Sequence, residues 1–313
     1  MPITERQRAQ RPFNVGGSDI AKILNLSQYE CDHDLWLEKT GKLEPKPSSK
    51  PARSGNRFED GLLQWLSGDG DENSPNLGRI RRNVRRVHPD KTTHIAVNLD
   101  AILVGLDEPM DAKTAGLYSP PSDDWGAWGT DEVPVEALCQ VQAGIACIGD
   151  DCKRGHIGAF IGWRGEVYYE IPRNDDLIAE IEEACRRFWW HVENDTPPEG
   201  LPTLETVKRV IRKEHKETEL PEELVAAWAA ADKTLKAAEG EADKAKAAIL
   251  AVMGDAEIGQ AGRFGKVTYK GHFQRRLDTA RLRQSLPDLY ESYLKEPKLV
   301  RRWDYRPPKG ETK

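Results

Sequence analysis

Asp100 stands inside an otherwise apolar run, AVNLDAILVG. Eleven residues later, Asp111-Ala112-Lys113 puts a carboxylate and an ammonium on one face of a short strand, because strand side chains repeat every two residues. Neighbouring buried charges are costly unless something compensates them. A divalent cation does so: hard ions such as Mg²⁺ take carboxylate oxygens, while an adjacent ammonium can hold or polarise a water. The alternative is a plain salt bridge between Asp111 and Lys113 with Asp100 in a turn, and the D…DxK spacing alone does not separate the two readings. Glu59, inside the helical GNRFEDGLL, sits beside an apolar stripe and is a third acid able to face the sheet, or else a solvated helix residue. Gln140 and Gln142, in CQVQAG, are amides on a small, apolar helix, where a metal-bound water, a phosphate or the backbone would satisfy them. His88 and His94 flank a strand edge and read as surface or capping residues.

The elements that must position these groups are interleaved. Ser18 follows a Gly-Gly pair and precedes DIAKIL, the pattern of an N-cap and its helix. DHDLWLEKTG and GNRFEDGLLQWLSG read as further helices, the second with Phe58, Leu62, Leu63 and Leu66 on one stripe. Strand patterns follow at 79–88, 94–103 and 108–115, then the helix VEALCQVQAGIACIG, strands at 155–163 and 166–172, and the helix DDLIAEIEEACRRFWWHV. The order predicts an α/β (α+β) fold: a mixed central sheet flanked by helices. The prolines of TPPEGLPT mark an edge near 200, dividing a domain at 1–200 from an extension at 201–313. In the extension, an Ala/Glu/Lys-rich stretch predicts a long helix or helical hairpin over about 205–254, with a short strand near 264–270 and helices near 279–296.

Composition narrows the classes. With 38% hydrophobic residues the chain can build a core, and no apolar run approaches a membrane span. The start, MPITERQRAQRP, lacks a signal-peptide apolar region, so the expected location is cytoplasmic, without membrane association. Five scattered cysteines without a CxxC pair argue against a disulfide framework or a closed zinc site. With 52 acids against 46 bases, the net charge of -6 rules out bulk attraction to nucleic acid. Any DNA contact must be local, and RIRRNVRRVH supplies Arg79, Arg81, Arg82, Arg85 and Arg86. These either meet phosphates or pair with the abundant acids. For the tail arginines, Arg275, Arg276, Arg281, Arg283, Arg301 and Arg302, pairing is the favoured reading. Trp163, Tyr168, Tyr169, Trp189 and Trp190 cluster as core residues do, which favours packing over base stacking.

The ordered strings VGGSDIAKILNLSQYE, LWLEKTGKLEP, SGNRFEDGLL, HIAVNLDAIL, DAKTA, WGTDEVPVEALCQVQ and FWWHVENDTPPE together resemble the YqaJ-type viral recombinases. These are alkaline exonucleases related to phage lambda exonuclease, of the PD-(D/E)xK nuclease superfamily with its restriction-endonuclease-like core. The resemblance spans roughly residues 11–200. It implies Glu59, Asp100, Asp111, Lys113 and Gln140 as catalytic residues. Asp100, Asp111, Glu59 and the Ala112 carbonyl would hold Mg²⁺, or Mn²⁺. Arg11 and Ser18 match residues that hold the 5′-phosphate of a DNA end. Many members carry Glu where this chain has Asp111, one methylene shorter. The resemblance further implies a 5′→3′ exonuclease on linear double-stranded DNA ends, working with a single-strand annealing protein in phage recombination, and a ring-shaped homotrimer. An endonuclease or single-strand nuclease on the same core is the alternative, and a non-catalytic DNA-end-binding scaffold is the second. Close to a metal, Lys113 is expected to have a lowered pKa.

Overall fold

The computed structural model describes residues 11–46, 49–68, 70–296 and Trp303. It divides into two compact units, Met1–Lys216 and Glu217–Lys313.

The first unit is built on a five-stranded mixed sheet in the order β1 (Ile80–Val87), β2 (Ala96–Leu103), β3 (Glu108–Ala115), β4 (Arg154–Ile161) and β5 (Gly165–Pro172). Neighbours run antiparallel except β3 and β4, which are parallel. Parallel neighbours need a crossover, and the intervening chain supplies one as a helix, Val135–Ile148. It follows α1 (Ile20–Ile23), α2 (Asp32–Lys39) and α3 (Lys50–Ser67), and is therefore α4; α5 spans Asp175–Glu193. This is the mixed α/β class the element order implied.

Each face of the sheet is covered for a reason visible in the chain. α3 starts at Ser49, whose hydroxyl accepts from Ala52 N–H, has Pro51 in its first turn, and stops at Gly68, where φ is +101°. Its Leu63, Trp65 and Leu66 pack on Ala101, Leu103, Met110 and Tyr168. On the opposite face, Cys139, Ala143 and Cys147 of α4 meet Val97, Leu99 and Ile102, joined by Ile181, Cys185, Phe188 and Trp189 of α5. Val141 and Ile145 meet Ile157, Ala159 and Ile161 of β4. The buried cysteines act as small apolar residues, and burial raises their thiols, to about 11 for Cys139.

Three sequence expectations change. Ser18 does not cap a helix: it lies within a 3₁₀ turn, Gly17–Asp19, and Asp19 Oδ2 accepts the Gly16 N–H at 3.0 Å instead. The unit edge falls at 216/217 rather than at 200, because the segment after the prolines is tied down. Asp34 Oδ1 accepts from Thr203 N–H at 2.8 Å, Glu44 N–H donates to the Arg209 carbonyl, and α6 (Leu204–Lys208) lies between. The expected helix over 205–254 is therefore that short piece and α7, Glu222–Met253, beginning after Pro221. Beyond it, the strand near 264–270 is one arm of a hairpin of β6 (Ile258–Gln260) and β7 (Lys266–Thr268). Pro287 splits the last helix into α8 (Thr279–Ser285) and α9 (Pro287–Ser292). Arg301 and Arg302 lie outside the described residues.

Candidate active site

β3 carries Asp111 and Lys113 toward α4, since Met110 and Ala112 pack on the α3 side. Antiparallel pairing of Ala101 with Met110 brings Asp100 across from Asp111. Asp100 Oδ2 accepts the Ala112 N–H at 2.9 Å. One turn into α4, Gln140 closes the group: its Nε2 donates to Asp111 Oδ1 at 3.0 Å, and its Oε1 accepts from Lys113 Nζ at 2.8 Å. Lys113 Nζ also lies 2.6 Å from Asp111 Oδ2. That oxygen is buried, with the Lys113 ammonium as its charge partner.

The electrostatics are unbalanced in a specific way. Burial first, and then the facing Asp111 carboxylate, push the Asp100 carboxyl well above its usual range, against the pull of Lys113. For Lys113, burial alone would lower the pKa, but Asp111, Asp100 and the more distant Glu59 outweigh it, and the net shift is upward. Without a cation, the two carboxyls crowding the ammonium set the direction of its shift. Glu59, half-buried on α3, acts on Lys113 through space. Among the described residues no three Asp, Glu, His or Cys side chains form a ready-made metal cluster.

The backbone beneath Asp100 is irregular. Val97 and Leu99 join the cluster under α4, whereas Ala101 and Leu103 join the one under α3, so the alternation of β2 slips at this residue. Across from it on β1, Asn83 falls between the pairs Arg82–Ala101 and Val84–Leu99 and has φ +54°. A left-handed asparagine inside a strand is uncommon and marks a local bulge-like distortion. No sequence signal beyond the asparagine itself pointed there.

The remaining expected residues scatter. Gln142 is buried and fully satisfied by backbone, donating to the Pro172 carbonyl at 2.7 Å and accepting from Asn174 N–H, so it stands apart from the site. Arg11 Nε lies 3.1 Å from Glu38, and its guanidinium is 3.7 Å from Asp19; Ser18 is exposed on the adjoining turn. That turn abuts the site, because a Cβ on Gly17 would sit 3.0 Å from Gln140 Cγ. Arg79, just before the edge strand β1, and Arg81 on it are exposed, while Arg82 is held by Asp60 at 2.6 Å. His88 pairs with Glu182 and His94 stacks on Trp189, both away from the acids. Trp189, Tyr168 and Tyr169 are core residues as expected, but Trp163 and Trp190 are exposed. Two buried constellations were missed: Asp19 with Lys39 at 2.7 Å, and Glu108 with His156 at 2.8 Å and Arg154 at 3.0 Å.

This arrangement of two acids, an ammonium and an amide on a slipped strand lies within a recognisable segment. Residues 6–151 match the YqaJ-like viral recombinase domain. The chain is also 27% identical over 301 residues to the uncharacterized protein YqaJ of Bacillus subtilis (strain 168), covering 92% of this chain and 89% of that one. Among solved structures it is similar to the alkaline exonuclease LHK-Exo from Laribacter hongkongensis, at 15% identity and TM-score 0.46, covering 61% of this chain and 94% of that one. A phage related exonuclease from Haemophilus somnus 129PT is similar at 15% identity and TM-score 0.39, covering 58% and 96%.

Proposed function

We propose that this chain is a metal-dependent deoxyribonuclease of the PD-(D/E)xK type, hydrolysing phosphodiester bonds at the ends of linear double-stranded DNA. The convergence of Asp100, Asp111, Lys113 and Gln140 within hydrogen-bonding distance of one another carries the reading. Two facing carboxyls, one with its ionisation suppressed, are the donor chemistry a hard cation relieves. Asp100, Asp111 and the Ala112 carbonyl would hold Mg²⁺ or Mn²⁺, with Glu59 reaching it directly or through water. When bound, the ion lowers the pKa of water and neutralises charge on the phosphate. Lys113, drawn toward Asp111, orients the attacking water or donates to a phosphate oxygen. Gln140 ties the acid and the ammonium into one geometry, so it positions rather than reacts. Exposed Arg11 and Ser18, the former paired with Glu38, are the proposed 5′-phosphate contacts, and exposed Arg79 and Arg81 the proposed backbone contacts.

Polarity of 5′→3′, a single-strand annealing partner in recombination, a homotrimeric state and a cytoplasmic location extend this reading and rest on the family resemblance. Among the described residues no helix is long and apolar enough to cross a membrane. The test is incubation with 5′-end-labelled linear duplex and with covalently closed circular DNA, with Mg²⁺ and with EDTA. Degradation of the linear duplex alone, abolished by EDTA and restored by Mg²⁺, is the expected outcome. Nicking of the circle would favour the endonuclease alternative, and binding without cleavage would favour the scaffold.

A further inference from the structure

Trp163 contradicts the core pattern of its neighbours. It is 87% exposed, more than any other described tryptophan. It sits at the middle of the 3₁₀ turn Gly162–Arg164, which joins β4 to β5. That turn is built to hold its shape. Gly162 and Gly165 take φ +39° and +76°, conformations that side chains other than glycine's resist. The Arg164 guanidinium donates to the Trp125 carbonyl at 2.7 Å and to the Gly126 carbonyl. The indole is therefore presented to water from a fixed mount.

The mount stands at the end of the sheet toward which β3 runs past Asp111 and Lys113. β3 and β4 run parallel, Lys113 pairs with Ala159 and Ala115 with Ile161, so the turn begins just past the end of the strand that carries Asp111 and Lys113. The chain leaving β3 touches it: a Cβ on Gly116 would lie 3.2 Å from the Gly162 backbone. Other aromatics share this rim. Phe160 stacks on the half-exposed Phe58 of α3, next to Glu59, with ring centroids 5.4 Å apart. Tyr118, two residues past Gly116, bonds Ser54 of α3 and lies under the Lys50 ammonium at 4.6 Å. Trp163 lies four residues beyond Ala159, the partner of Lys113, so at most roughly 13 Å along the sheet at about 3.3 Å per residue. At about 3.4 Å per stacked nucleotide, that is up to roughly four nucleotides from a phosphate at Lys113.

We infer that Trp163 is a stacking platform for an unpaired DNA base beside the cleavage site, a role that rests on the nuclease reading. The turn beneath the exposed indole is already ordered, so binding need not order the backbone, and every base presents a π-face to the ring, so the contact holds DNA without sequence preference. It gives an acidic chain affinity that phosphate attraction alone does not supply.

The experiment measures affinity in EDTA, by fluorescence anisotropy, for a labelled duplex with a short single-stranded end, and cleavage separately in Mg²⁺. Trp163→Ala is expected to weaken binding about 5- to 150-fold, the range of base–aromatic stacking losses, and Trp163→Phe to retain most of it. A series of substrates, each with one abasic site among the first six nucleotides, adds a readout that a merely structural role would not move. Wild type should lose affinity at one position, and Trp163→Ala at none. Trp163→Ala affinity within twofold of wild type, or a wild type indifferent to every abasic position, overturns the inference while leaving cleavage, and the nuclease reading, intact. A wild type that neither binds nor cleaves DNA removes both.

Discussion

Gly17→Ala tests whether the amide of Gln140 must be held where it is. Gly17 is buried and its backbone is not in the left-handed region, so a methyl there acts by contact alone. The added carbon would lie 3.0 Å from Gln140 Cγ, 3.6 Å from the Gln140 carbonyl and 3.6 Å from Val97 Cγ1. Relief to ordinary van der Waals contact needs a shift of about half an ångström or more. Val97 is packed in the core, so Gln140 is the group that yields. Its two ends are engaged at 3.0 Å and 2.8 Å, and moving Cγ disturbs both bonds together. Overpacking of this kind costs about 1–3 kcal/mol, a loss of roughly 2–12 °C in Tm for a domain of this size. Because misplacement by about 1 Å can cost about 10²-fold, kcat on linear duplex should fall roughly 10- to 100-fold. The assay is a double-mutant cycle of Gly17→Ala with Gln140→Ala, followed by thermal unfolding and by single-turnover cleavage. Removing the Gln140 side chain should recover most of the lost stability but none of the lost rate. Additive stability effects, or a Gly17→Ala enzyme of wild-type rate, would refute the coupling.

Lys113→Ala should lower single-turnover cleavage by about 10²–10⁴-fold without loss of the folded circular-dichroism spectrum, and near wild-type rates would remove Lys113 from the chemistry. Asp19 and Lys39 are each 1% exposed and 2.7 Å apart, so Asp19→Asn, which strands the ammonium, should cost about 3–5 kcal/mol in urea unfolding. Burial raises the Asp19 pKa, but Lys39, Lys22 and Arg11 outweigh it and the net shift is below the usual 3.8. Its contribution is therefore present above pH of about 4 and lost as pH falls through that value and below, and the Asn variant should show a shallower acid limb; an unchanged limb counts against the pairing. Arg81→Ala should reduce the salt dependence of DNA binding by about one phosphate contact, whereas Arg82→Ala, already engaged by Asp60, should change it little; the reverse order would overturn the assignment.

What could be read from the chain followed its periodicities. A two-residue repeat put Asp111 and Lys113 on one face, and the antiparallel neighbour delivered Asp100 to them. Between the two glutamines the choice was also available: residues two apart on a helix point away from each other, so Gln140 at the acids required Gln142 elsewhere. Partnerships at long sequence separation were not available. Nothing local distinguishes Arg82, turned to Asp60 on α3, from Arg81, turned to water. Nor does any pattern announce that Asp19 will find Lys39 in the interior. Trp163 was misread as core because its aromatic neighbours are core, although the glycines on both sides of Trp163-Arg164 were the sign of a turn.

The slipped alternation at Asp100 links the fold to the chemistry. A regular β2 would send Leu99 and Ala101 to the same side, whereas here they enter different clusters and the strand changes face at the acid. That change, opposite the left-handed Asn83, frees the Asp100 carboxyl to reach the Ala112 N–H while its neighbours stay packed. The irregularity costs ladder pairing and backbone strain, and the pairing of two buried carboxyls costs more. The acid pair falls on β2 and β3, interior strands with helices packed on both sheet faces, while the left-handed residue lies on the neighbouring β1. A strained acid pair persists in that position because the surrounding core over-determines it. On the proposed nuclease reading, a chain of net charge -6 would meet a polyanion where a bound cation offsets this acid pair.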